Sequence, residues 1–124
     1  MGKEKILIVD DDPDLVETAR VYLEKEGYEI ASAYNVDDGR AAVESEKPDL
    51  LILDVMMEQP DDGIALAQEL RRKKVETPIL MLSAISRVTS MDYDKDDGMV
   101  PVNEFLEKPV DPKVLIEKVK DLLK

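Results

Sequence analysis

The sequence predicts an α/β protein built on a doubly wound, parallel, five-stranded sheet. Residues 6–9 (ILIV), 50–53 (LLIL) and 79–82 (ILML) are unbroken apolar runs, as expected of strands covered on both faces. Between them lie segments whose apolar residues recur at helical spacing, several opening on a capping side chain. Strands alternating with helices imply parallel pairing through right-handed crossovers.

Each element follows in order. After the first run, Asp12-Pro13 supplies an N-cap and a proline at the first helical position. Leu15, Val16, Ala19, Tyr22 and Leu23 then form one stripe, and Gly27 closes the helix. Residues 28–31 (YEIA) alternate and read as an edge strand with one wet side. Asn35 caps a second helix to about residue 45, ended before Lys47-Pro48. Beyond the central run 50–53, Asp61 or Asp62 caps a third helix to about Arg72, burying Ile64, Ala67 and Leu70.

The run 79–82 is followed by a break in rhythm. Residues 86–102 are poor in helix formers and carry an acidic stretch, Gly98 and Pro101. The helix expected between the last two strands is therefore shortened or replaced by a loop. Residues 104–107 (EFLE) form the second edge strand. Asp111-Pro112 repeats the helix start, ahead of Leu115, Ile116, Val119, Leu122 and Leu123. With no repeat or linker, residues 1–124 read as one domain.

Composition removes whole classes of function. A net charge of −12 disfavours nucleic acid and anionic membrane surfaces, which would repel the chain. Without cysteine there are no disulfides, thiolate metal sites or thiol nucleophiles; without histidine there is no imidazole base. No apolar run approaches the roughly 18 residues of a membrane helix. The N-terminus lacks an apolar leader, so a cytoplasmic protein is expected.

Polar residues fall where such a sheet forms its ligand crevice, at the carboxyl ends of strands. Asp10 and Asp11 follow the first strand, Asp54 ends the third, Ser83 follows the fourth and Lys108 follows the fifth. Carboxylates gathered there repel, by roughly 1–4 kcal/mol for a pair at about 4 Å. A hard divalent cation and a lysine would offset that, and Ser83 adds a neutral donor. The set suits phosphoryl transfer to a carboxylate, which needs mainly positioning and charge neutralisation. Asp12 is better explained as a helix cap.

The segments VDDDP (residues 9–13), LDVMM (53–57), Leu82-Ser83-Ala84 and Lys108-Pro109 resemble, in order and spacing, the signatures of two-component receiver domains. The resemblance covers nearly the whole chain and implies the flavodoxin-like strand order 2-1-3-4-5. It implies that Asp54 is the phosphoacceptor. Asp11, Asp54 and the backbone carbonyl of Met56 would hold Mg²⁺ (or Mn²⁺ in its place), with Asp10 acting through water. It further implies that Ser83 and Lys108 engage the phosphoryl group, that Lys108-Pro109 is cis, and that Phe105 is the switch aromatic. Phe105 also fits an edge-strand aromatic without switching.

Implied partners are a sensor histidine kinase or histidine phosphotransfer protein and a separate downstream protein, with no nucleic acid or membrane and a monomer or weak homodimer. The chain would catalyse only its own phosphorylation and dephosphorylation. It ends after the last helix, so an output domain is not expected within it. Apolar Met56 and Ile85, flanking the phosphoryl position, imply slow self-dephosphorylation.

Two departures stand out. The family's usual proline four residues after the phosphoacceptor is Glu58 here, and its glycine comes at nine residues, as Gly63, rather than eight. The span from Ser83 to Lys108 is also longer than typical.

Other readings are weaker. Asp92, Asp94 and Asp96 copy the start of an EF-hand loop, but its sixth and twelfth positions are Asp97 and Asn103 rather than glycine and glutamate. An aspartate-nucleophile phosphatase of the haloacid-dehalogenase type would need a second aspartate where Met56 stands. A phosphorylation-independent interaction module on the same fold remains the alternative.

Overall fold

The computed structural model describes residues 4–55, 57, 62–84, 102–108 and 110–123. Among the described residues the elements run in the order β1 (Lys5–Val9), α1 (Pro13–Lys25), β2 (Glu29–Ala33), α2 (Val36–Glu46), β3 (Leu50–Asp54), α3 (Asp62–Arg72), β4 (Ile79–Ala84), β5 (Glu104–Lys108) and α4 (Pro112–Leu122). The five strands pair in parallel in the order β2-β1-β3-β4-β5. The apolar runs are thus the three central strands and the alternating segments the two edges. Every side chain of β3 is buried, whereas β5 is buried only in part.

Helices cover both faces. Leu7, Val9, Leu51, Leu53 and Met81 pack with Leu66, Ala67 and Leu70 of α3 and Val43 of α2. Ile6, Ile8, Ile52, Leu80 and Leu82 pack with Val16, Ala19 and Leu23 of α1 and Leu115 and Val119 of α4. Alternation along each strand therefore feeds two separate cores.

The predicted start and stop signals hold locally for α1, α2 and α4, whereas Asp62 is the first residue of α3 rather than its cap and Asp61 lies outside the described residues. Asp12 accepts from the amides of Asp14 (3.0 Å) and Leu15 (3.4 Å), Asn35 from Asp38 (2.8 Å) and Asp111 from Lys113 (2.9 Å). Gly27, just beyond α1, takes φ +96°, a conformation that suits glycine. Two helix faces depart from expectation. Tyr22 is exposed, and on α3 Leu66 takes the buried position while Ile64 is only half-buried. The expectation for residues 86–102 lies outside the described residues except at Val102, which is buried.

The free rim of β2 is covered by Arg20 of α1. Its guanidinium donates to the Ile30 carbonyl (3.3 Å) and the Ser32 hydroxyl (2.8 Å). Glu17 and Glu24 flank it at 3.7 and 3.9 Å. At the opposite end of the sheet, Arg71 donates to the carbonyls of Val75 (2.8 Å) and Thr77 (2.9 Å) and to Asn103 Oδ1 (3.1 Å). Among the described residues no helix is long and apolar enough to cross a membrane.

Candidate functional site

Register decides which strand ends meet. Val9 lies opposite Leu53, so the next residues, Asp10 and Asp54, sit side by side. Leu82 lies opposite Asp54, and Ala84 opposite Lys108. Ser83 therefore stands one step beyond Asp54 on the adjacent strand, buried, and Lys108 reaches back across β4.

The Lys108 ammonium lies 3.1 Å from Asp10 Oδ2 and 3.1 Å from Asp54 Oδ1. One oxygen from each of Asp10, Asp11 and Asp54 falls within 4.8 Å of the others. Asp10 is fully buried and Asp54 is 4% exposed, while Asp11 faces solvent. All five side chains expected from far-apart segments are at this end of the sheet.

Asp10 Oδ1 accepts from the Asp12 amide at 2.9 Å, which ties the crevice to the cap of α1. Its other oxygen, Oδ2, is buried and accepts no well-directed hydrogen bond, although the ammonium is close. That contact pairs the oxygen with the ammonium without filling both of its lone pairs.

The electrostatics follow from burial. Loss of water, and then repulsion from Asp10, push the Asp54 carboxyl up to about 6, against the pull of Lys108. Asp10 is raised as well, chiefly by burial. Burial would lower the Lys108 ammonium, but the two carboxylates outweigh it and raise it. One lysine does not neutralise three carboxylates. Three clustered carboxylate oxygens with a single ammonium among them fit a small divalent cation such as Mg²⁺.

Phe105 pairs with Met81 and is half-buried against the core on the α2 and α3 side. Since Ser83 lies two residues beyond Met81, Phe105 and Ser83 share one face of the sheet. Met56, Ile85 and Pro109, and with them the expected carbonyl ligand, the hydrophobic flanks and the cis bond, lie outside the described residues.

One residue was under-read from the sequence. Gly63, counted as a displaced loop glycine, lies in the first turn of α3, and its amide donates to the Val55 carbonyl at 2.8 Å. A β-carbon there would overlap the Asp54 carbonyl. A glycine straight after a helix-opening aspartate was the available signal.

The family model described as "Response regulator receiver domain" matches residues 6–120. This chain belongs to the response regulator receiver family. Receivers are signalling modules of two-component systems, phosphorylated by histidine kinases or phosphotransfer proteins, and they bind Mg²⁺ at an acidic pocket. The alkaline phosphatase synthesis transcriptional regulatory protein PhoP of Bacillus subtilis (strain 168) is 35% identical over 122 residues, which is 98% of this receiver and 49% of PhoP. The transcriptional regulatory protein ResD of the same organism is 37% identical over 127 residues, 99% of this receiver and 49% of ResD. The chain spans about half the length of these curated relatives.

Solved structures agree on the fold. The Francisella response regulator 1452 receiver domain superposes with a TM-score of 0.86 at 25% identity, over 98% of this chain and 97% of that one. A response regulator receiver domain protein from Methanospirillum hungatei JF-1 gives 0.85 at 26%, over 98% and 94%.

Proposed function

We propose that residues 1–124 act as one phosphorylation switch in which Asp54 accepts a phosphoryl group from a partner's phosphohistidine. The observation that carries this reading is the shared ammonium. Lys108 lies 3.1 Å from both Asp10 and Asp54, two buried carboxylates that have Asp11 beside them. In the step itself an Asp54 oxygen forms a bond to phosphorus as the phosphorus–nitrogen bond breaks. The leaving imidazole keeps the electron pair and takes a proton from solvent.

Asp11, Asp54 and the Met56 carbonyl would hold Mg²⁺ directly and Asp10 through water; when bound, the ion supplies charge neutralisation for the transferring oxygens. Lys108 neutralises a second oxygen, and Ser83 donates to a third. Converting a 1:99 population to 99:1 needs about 5.5 kcal/mol. Two or three charged hydrogen bonds of about 1.5–3 kcal/mol each supply that. Drawing Ser83 towards the phosphoryl group opens space on its own face of the sheet, where Phe105 stands, and so makes Phe105 the switch aromatic.

Incubation with a small acyl phosphate and Mg²⁺, followed by intact mass measurement, tests the assignment. The expected result is one added phosphoryl mass on the wild type and none on Asp54→Ala. Unmodified wild type, or undiminished addition in the variant, refutes it.

A further inference from the structure

We propose that Gly63 is a positioning residue for the phosphoacceptor, holding the first turn of α3 against the Asp54–Val55 peptide so that the Asp54 carboxyl stays in reach of its cation partners. The proposal rests on the reading of Asp54 as the phosphoacceptor. Three observations lead to it. The Gly63 amide donates to the Val55 carbonyl at 2.8 Å, on the residue directly after Asp54. A β-carbon at Gly63 would overlap the Asp54 carbonyl and crowd the Asp54 carbonyl carbon and the Val55 α-carbon, all of them backbone that no rotamer change can move aside. On its other side the same peptide is fixed by β4, where the Val55 amide donates to the Leu82 carbonyl at 2.9 Å.

The end of β3 is thus gripped between β4 and α3. Asp54 is its last residue, so a helix pushed outwards carries the carboxyl away from Lys108, or frees it to move. The 2.8 Å bond also joins both ends of the segment between Val55 and Gly63.

The decisive variant is Gly63→Ala, compared with wild type and with Leu70→Ala, which creates a cavity in the same helix away from the crevice. Mg²⁺ affinity is measured by calorimetry with the metal alone, and phosphorylation by intact mass with a small acyl phosphate, under conditions where far-ultraviolet circular dichroism shows all three proteins folded. Gly63→Ala is expected to weaken Mg²⁺ binding and slow phosphorylation by roughly tenfold to a hundredfold, as misplacement of a reacting group by about 1 Å does. Leu70→Ala is expected to lose stability while staying within about twofold of wild type in both.

Wild-type behaviour in Gly63→Ala, or equal losses in Leu70→Ala, overturns the proposal. A wild type that takes no phosphoryl group overturns the function instead, and the Mg²⁺ comparison still judges Gly63. Should Gly63→Ala fail to fold even with a stabilising osmolyte, amide exchange of the wild type decides: a Gly63 N–H exchanging as fast as an open loop amide overturns the proposal, and a strongly protected one supports it.

Discussion

Replacing Asp54 with asparagine should stabilise the metal-free protein. In the fold the Asp54 carboxyl titrates at about 6 instead of its ordinary 3.8, because burial and Asp10 penalise its charged form. A raised folded value means that stability is fully present below about pH 4 and is lost as pH rises through about 6. Roughly two units at 1.36 kcal/mol each amount to about 3 kcal/mol of strain at neutral pH. Asparagine keeps the shape and removes the charge, but it gives up the ion pair to Lys108. The net gain is therefore about 1–3 kcal/mol, or about 4 °C in Tm per kcal/mol for a domain of this size.

The assay is urea unfolding in a chelating buffer from pH 7.5 to 5.5, followed by circular dichroism. The chain has no histidine, so no side chain with an ordinary value titrates in that window. Wild type should gain stability as the pH falls, and Asp54→Asn should respond less and start higher. Saturating Mg²⁺ should reverse the order, since a ligand at a hundred times its Kd adds about 2.7 kcal/mol to the protein that binds it. A metal-free Asp54→Asn no more stable than wild type, or a flat wild-type profile, refutes the reasoning.

Other outcomes follow from the same contacts. Lys108→Met removes the cation that Asp10 and Asp54 share; metal-free stability at pH 7.5 should fall by about 1–3 kcal/mol, and the gain on acidification should begin at higher pH in the same titration. Glu69 is held down to about 2 mainly by its hydrogen bonds from Arg40, at 2.6 and 3.0 Å. A lowered value contributes above the ordinary carboxylate range and is lost as pH falls towards 2, so Glu69→Gln should cost about 0.5–1 kcal/mol at pH 7 and flatten the acid limb of an unfolding curve. Asn103 Oδ1 accepts from the Ile79 amide (2.9 Å) as well as from Arg71; Asn103→Ala leaves that amide unpaired and should cost about 1–3 kcal/mol by denaturant unfolding, with phosphorylation of folded protein unchanged.

The strands were legible because covering a strand on both faces demands apolar residues at every position, a pattern few other structures need. The crevice was legible for a related reason: an aspartate closing an apolar run, as Asp54 does after residues 50–53, needs a partner, and strand ends are where partners gather. Helix faces were read less sharply. A stripe on α1 or α3 is wide enough to include a neighbour on either side, so Tyr22 at its margin is exposed and Leu66 displaces Ile64 inwards. Two details could not be read from residue types. That Lys108 spans Asp10 as well as Asp54 depends on strand register, and the closeness of Gly63 to the Asp54 carbonyl depends on the path of the backbone.

The guanidinium lying along the outer side of β2 also bears on association between molecules. A bare row of peptide groups is a template on which another chain can extend the sheet, and runaway stacking begins there. Here Arg20 occupies the Ile30 carbonyl and sets a charged plug, flanked by two glutamates, in the path of any approaching strand. Zipping together of crowded molecules along that margin is thereby disfavoured.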